Sequence, residues 1–173
     1  MTQTEPEAAG TPLGRYGPTD HDEMATVRLL AAPVRLWARS TEHHDELMRE
    51  MALLAISPPR EGHDLPLRLV ELVEVLGRQY GGATSRPDVE REAAHAGGLD
   101  RVDLEYRVPR SAGAAAQALA AILAEADEFC REGGALLTLA KPADQVAFSA
   151  WYINEFVAQI GGAAPTPWPG PWT

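Results

Sequence analysis

Between Pro33 and Ile56 the apolar side chains fall at alternating steps of three and four. Val34, Trp37, Thr41, His44, Met48, Met51 and Ala55 share one stripe, which Leu36, Leu47 and Leu54 widen. Pro33 suits a first helical turn, and Pro58 with Pro59 closes the segment, so the pattern predicts a long amphipathic helix with Arg35, Arg39, Glu42, Glu46 and Arg49 toward water. A second helix is expected from a cap at Asp64, with Leu65, Leu69, Leu72, Leu76 and Tyr80 as its stripe and Gly81-Gly82 as its end. A weaker helical segment follows from Ser85 and Pro87 to Ala96.

Residues 102–108 change period. Val102, Leu104, Tyr106 and Val108 alternate with charged neighbours, which predicts a strand, and the shorter alternation of residues 26–31 offers it an antiparallel partner. The helical period returns at Ser111, with Ala115, Leu119, Ile122, Ala126 and Phe129 as a seam ending near Gly133 and Gly134. After an apolar connector at 136–140, Pro142 opens the last helix. Its seam is Val146, Ala150, Ile153, Val157 and Ile160, with Phe148, Trp151, Tyr152 and Phe156 spread beyond it. A helix apolar over so much of its girth is expected at the centre of a bundle or in an interface. The predicted fold is mainly α: a bundle of about four long helices with a small two-stranded β ribbon.

Composition narrows the organisation. Residues 1–22 carry few large apolar side chains and are expected to form a disordered tail, 23–161 a single domain, and 162–173 a Pro/Trp-rich tail that exposes Trp168 and Trp172 or packs on its own domain. The formal net charge of −10 argues against nucleic acid and anionic membrane surfaces as partners. No apolar run suggests a membrane span, and the lone Cys130 fits a reducing compartment, so a cytoplasmic protein is expected.

Two kinds of candidate site emerge. Trp151, Phe156, Trp168 and Trp172 form a candidate contact surface for a protein partner or a second copy of the chain. His43 and His44, with the carboxylates of Glu46, Glu50, Asp127 and Glu155, are candidate ligands for a metal or small molecule; zinc, iron and manganese suit such donors, and the sequence names no cofactor. Adjacent histidines diverge by about 100° on a helix and do not readily share one ion, so core histidines bonded to a neighbouring helix are the plainer reading. Glu92-Ala93-Ala94-His95 matches the Glu-x-x-His element of di-iron bundles in a single copy, and a solvated surface pair is the plainer reading there too. Glu125, Glu128 and Glu132 read as an exposed acidic face. Cys130 lies at a helix C-terminus among Glu128 and Glu132, a poor place for a thiolate, and no nucleophile elbow or Gly-rich phosphate loop is present. Whether the chain is an enzyme stays open at this level.

The strings Glu42-His43-His44-Asp45-Glu46-Leu47-Met48-Arg49-Glu50, Leu136-Leu137-Thr138-Leu139 and Trp151-Tyr152-Ile153-Asn154-Glu155-Phe156, with the Pro-Trp ending, resemble an uncharacterised family of actinobacterial proteins over roughly residues 26–168. Members of that family occur near ATP-binding anti-sigma kinases and other partner-switching regulators. The resemblance favours a regulatory or interaction role and says nothing about chemistry; with the apolar last helix, the two-tryptophan tail and no complete catalytic set, a non-enzymatic regulatory or protein-interaction domain is expected.

Overall fold

A computed structural model describes residues 22–56, 65–131 and 141–170, with all their side chains except those of Phe129 and Cys130. The expectations for residues 1–21, the Asp64 cap, Glu132, the 136–140 connector, Trp172 and the Cys130 thiol lie outside the described part. Strand β1 (Met24–Pro33) leads into helix α1 (Val34–Ala55). Helix α2 (Leu65–Ala96), strand β2 (Arg101–Pro109), helix α3 (Ala112–Arg131) and helix α4 (Ala143–Ile160) follow. The fold is mainly α with one small antiparallel ribbon. Helix α2 packs on α1 and α3, and α4 packs on the same two from the other side, so the four helices form a ring.

The ribbon is built as its alternation demands. Val27, Leu29, Leu104, Tyr106 and Val108 are buried on one face, and Arg28 and Glu105 pair at 2.9 Å on the other. Met24 to Leu29 pair in register with Pro109 to Leu104, but Ala32 pairs with Val102, so β1 carries one extra residue. That bulge holds Ala31 at φ 53°. The carboxylate of Asp103 accepts the Ala31 N–H at 2.6 Å. The inserted residue shifts the parity, which is why Ala32 is buried on the same side as Val27 and Leu29. Pro33 ends the pairing, and the Val34 N–H donates to the Asp100 carbonyl at 3.0 Å as the first turn of α1 begins.

Helix α2 corrects the expected break. It runs unbroken for 32 residues through Gly81, Gly82 and Pro87, a length of roughly 48 Å. An internal proline costs about 3 kcal/mol and each glycine about 1 kcal/mol of helix propensity. The opposing term is the apolar stripe, which stays in phase across the junction: Leu65, Leu69 and Leu72 enter one core, and Tyr80 and Ala83 reach the other. Breaking the helix would forfeit one of those contacts. Thr84 and Ser85 donate their hydroxyls to the carbonyls of Gly81 and Gly82, three residues back.

Two cores result. The ribbon-end core joins the inner face of the ribbon to Leu36, Trp37, Phe148, Trp151, Phe156, Ile160 and Trp168. The distal core joins Leu47 and Met51 of α1, Leu65, Leu69 and Leu72 of α2, and Ile122 and Ala126 of α3, with no residue of α4 among its buried members. Helix α4 therefore turns its aromatic face inward. Val146 and Ala150 of its expected seam are exposed, and Ile153 and Val157 are half-buried.

Candidate functional site

The ribbon-end core absorbs the residues expected at a contact surface. Trp151, Phe156 and Trp168 are buried. Phe148 meets Trp168 edge-on with ring centroids 5.8 Å apart, and Trp151 meets it at 5.5 Å. Trp172 lies outside the described residues. Residues 162–170 pack on the domain through Thr166 and Trp168. The Thr166 N–H donates to Glu155 Oε2 at 2.9 Å, the Thr166 carbonyl accepts from Trp151 Nε1 at 3.1 Å, and the Trp168 N–H donates to the Leu30 carbonyl at 3.1 Å. Gly170 is needed there, because a Cβ at that position would come within 2.3 Å of the Trp168 ring.

Glu155, the candidate acid of α4, serves the same closure. It is only 6 % exposed. Its Oε2 accepts from Gln159 Nε2 at 2.8 Å as well as from Thr166. Gln159 in turn accepts the Arg28 N–H and donates to the Arg28 carbonyl, each at 2.8 Å, so one side-chain amide satisfies a residue on the free edge of β1. A carboxylate committed to two donors in this way is structural. Nearby, Tyr106 and Tyr152 hydrogen-bond to each other, and burial pushes both phenols above the ordinary tyrosine value, which keeps them protonated. The Glu92 and His95 side chains of α2 are exposed.

The other candidates gather elsewhere. His43 and His44 are half-buried on α1 and face the start of α4, where Lys141 enters the same space as Asp127 of α3. Burial lowers the pKa of both histidines, and the Lys141 ammonium lowers it further; Glu46 and Asp127 oppose this at His43, and Asp45 opposes it at His44. Burial also lowers Lys141, with Asp127 acting against it. Asp127 is committed: its Oδ1 accepts the Lys141 backbone N–H at 2.8 Å and its Oδ2 pairs with Arg131 at 3.1 Å. Glu46 is exposed and Glu50 half-buried.

The expected ligand set is thus divided, with Glu155 in the ribbon-end core and the histidines at this junction. Among the described residues, no three His, Cys, Asp or Glu side chains lie close enough to hold a metal ion together. Burial and the Lys141 ammonium both favour the neutral imidazoles, and Asp45, Glu46 and Asp127 supply negative charge around the same groups.

Next to the junction, α3 and α4 leave an open trough of about 270 Å³ between them. Ala120, Leu123 and Ala124 line one wall, Val146, Ala150 and Ile153 the other, and Asp127, Arg131, Lys141 and Ser149 its polar end. Those α4 residues belong to the regular seam the sequence displays; the seam meets a wall of small side chains and stays partly open. Lys141 is the residue sequence reasoning passed over. It is the chain's single lysine, and its position beside Pro142 gave no hint that chain reversal would bring it against α1 and α3.

Among the described residues, no helix is long and apolar enough to cross a membrane. No family model matches the chain, and no curated protein and no solved structure matches it.

Proposed function

We propose that this chain is a non-enzymatic regulatory domain that acts by binding another protein, in a cytoplasmic setting of the partner-switching, anti-sigma kind. The observation that carries the reading is a set of exposed aliphatic side chains at the end of α1 and the start of α2. Leu53 is 64 % exposed and Ile56 81 % exposed at the end of α1, and Leu67 is 49 % exposed in the first turn of α2. Single exposed aliphatic residues are ordinary on soluble proteins; three at the end of α1 and the start of α2, two helices that share the distal core, are offered as a candidate docking surface. This patch replaces the aromatic surface expected from the sequence, whose described members are occupied inside the fold. The partner is a protein that offers a complementary apolar surface, a second copy of the chain included.

The test compares the full chain with a Leu53→Ser, Ile56→Ser, Leu67→Ser variant as matched baits in source-cell extract, alongside sedimentation velocity of each. A protein, or a self-associated form, retained by the parent and lost by the variant supports the proposal. Identical behaviour of the two, with both folded by circular dichroism, contradicts it.

The reading with a metal at His43 and His44 is less well supported, because among the described residues no three His, Cys, Asp or Glu side chains lie close enough to hold an ion together.

A further inference from the structure

On a surface separate from the aliphatic one, we infer that the outer edge of β2 pairs with the same edge of a second copy of the chain. The two strands run antiparallel about a two-fold axis at Tyr106, and the two ribbons join into one four-stranded sheet. The state of the two ribbon edges and the order of the charges on β2 carry the inference.

The edge of β1 is closed. Gln159 accepts the Arg28 N–H and donates to the Arg28 carbonyl, and the Trp168 N–H donates to the Leu30 carbonyl. In an antiparallel ladder, opposite residues alternate between pairs whose N–H and C=O groups bond to each other and pairs whose groups both point away. Arg28 points away from β2, so its opposite number Glu105 points away from β1. Thr26 and Arg107, two residues further along, repeat that phase. The backbone groups of Glu105 and Arg107 therefore lie on the outer edge of β2, and among the described residues nothing bonds to them. Helix α2 packs on β2 from the apolar face, while Asp103, Glu105 and Arg107 are exposed on the other. The bulge, a device that twists an edge out of reach, sits on β1.

An open edge accepts an added strand, and the charges select which one. The acid-to-base step from Glu105 to Arg107 is complementary to its own reverse. With the axis at Tyr106, Glu105 of each copy lies opposite Arg107 of the other, and each of these two pairs exchanges both of its backbone hydrogen bonds. Asp103 then faces Pro109, with no like charge opposite. Each Glu105 lies between Arg28 of its own ribbon, which it already meets at 2.9 Å, and Arg107 of the other copy. An axis at Leu104 would set Asp103 against Glu105 and Arg101 against Arg107, and an axis at Glu105 would set that carboxylate against itself. The formal net charge of −10 on each copy opposes approach, so the contact is weak and is best read at about 150 mM salt, where the screening length is about 8 Å.

Sedimentation equilibrium of the full chain from about 10 μM to about 1 mM is the test. It is run in the Leu53→Ser, Ile56→Ser, Leu67→Ser background, so that association through the aliphatic surface does not contribute. A monomer–dimer equilibrium is expected. Arg107→Pro removes an N–H that β1 does not use and sets a ring into the edge; it abolishes the dimer and leaves the circular dichroism spectrum unchanged. Glu105→Arg and Arg107→Glu each weaken association about tenfold or more, an equimolar mixture of the two recovers it, and the double variant associates like the parent. Absence of any dimer at the highest concentration overturns the inference. So does a dimer that survives Arg107→Pro in folded protein, or a pair of charge variants that stays monomeric on mixing, since another surface or register then joins the copies.

Discussion

The ribbon end and the distal end of this molecule solve the problem of buried polarity in opposite ways. At the ribbon end, Glu155, Gln159, Thr166 and Asp103 satisfy one another and the backbone of β1. Aromatic rings close around them. At the distal end, Lys141, His43 and His44 stand near one another with Asp127, Asp45 and Glu46 around them, beside a trough that the aliphatic face of α4 leaves open. The first arrangement holds the fold together. The second leaves its ionisable groups half-buried and the space beside them open.

The largest effect expected from breaking this contrast is at Trp168. Trp168→Ala empties a pocket shared with Phe148 and Trp151 and should cost about 3–5 kcal/mol in urea unfolding. A loss under about 1 kcal/mol would mean that residues 162–170 contribute little to the core. Glu155→Ala should cost about 2–3 kcal/mol, because the Thr166 N–H and the Gln159 amide lose a buried acceptor, and Glu155→Gln should cost less.

Helix α2 offers an opposite-signed test. An added methyl at Gly81 or Gly82 meets nothing within 4 Å, so Gly81→Ala with Gly82→Ala should raise stability by about 1–2 kcal/mol if the helix runs unbroken. A chain that turned at those glycines would be destabilised instead.

The smallest expected effect concerns pH. His43 and His44 have folded-state pKa values below the ordinary 6.5, so the unfolded chain binds protons first as pH falls. Their contribution to stability is complete above pH 6.5 and is lost as pH drops from there through the lowered folded values. Urea midpoints compared across that window should fall with acidification, and less steeply in a His43→Gln, His44→Gln variant. Equal slopes would remove the histidines from the account.

Much of the ribbon end was legible because its signals are local. The alternation from Val102 to Val108 dictates a strand whatever surrounds it, and the α1 period places Trp37 and Met51 inward. The α2 boundary was not legible, since Gly81, Gly82 and Pro87 are strong local breakers and only the two cores, distant in sequence, outweigh them. The bulge at Ala31 hid the burial of Ala32 for a related reason: parity counts assume an uninterrupted pairing. On α4 the regular seam and the aromatic face competed, and regularity was the weaker guide, because large aromatic surface gains more from burial than evenly spaced aliphatic side chains do. Glu155 stood out as an unusual acid, but it is bound to Thr166 and, through Gln159, to Arg28, which come from opposite ends of the chain. Lys141 carried no pattern at all; its meaning rests on contacts with Asp127 and Ser149 and on the nearness of His43.

The central claim, a closed ribbon end against an open distal junction, is tested most directly by residue-resolved amide hydrogen exchange on the full chain. The amides of Arg28, Thr166 and Trp168, each bonded in the closure, should exchange only through global unfolding, with protection matching the stability measured in urea. Exchange of the Thr166 and Trp168 amides at rates near those of an unstructured peptide would contradict it.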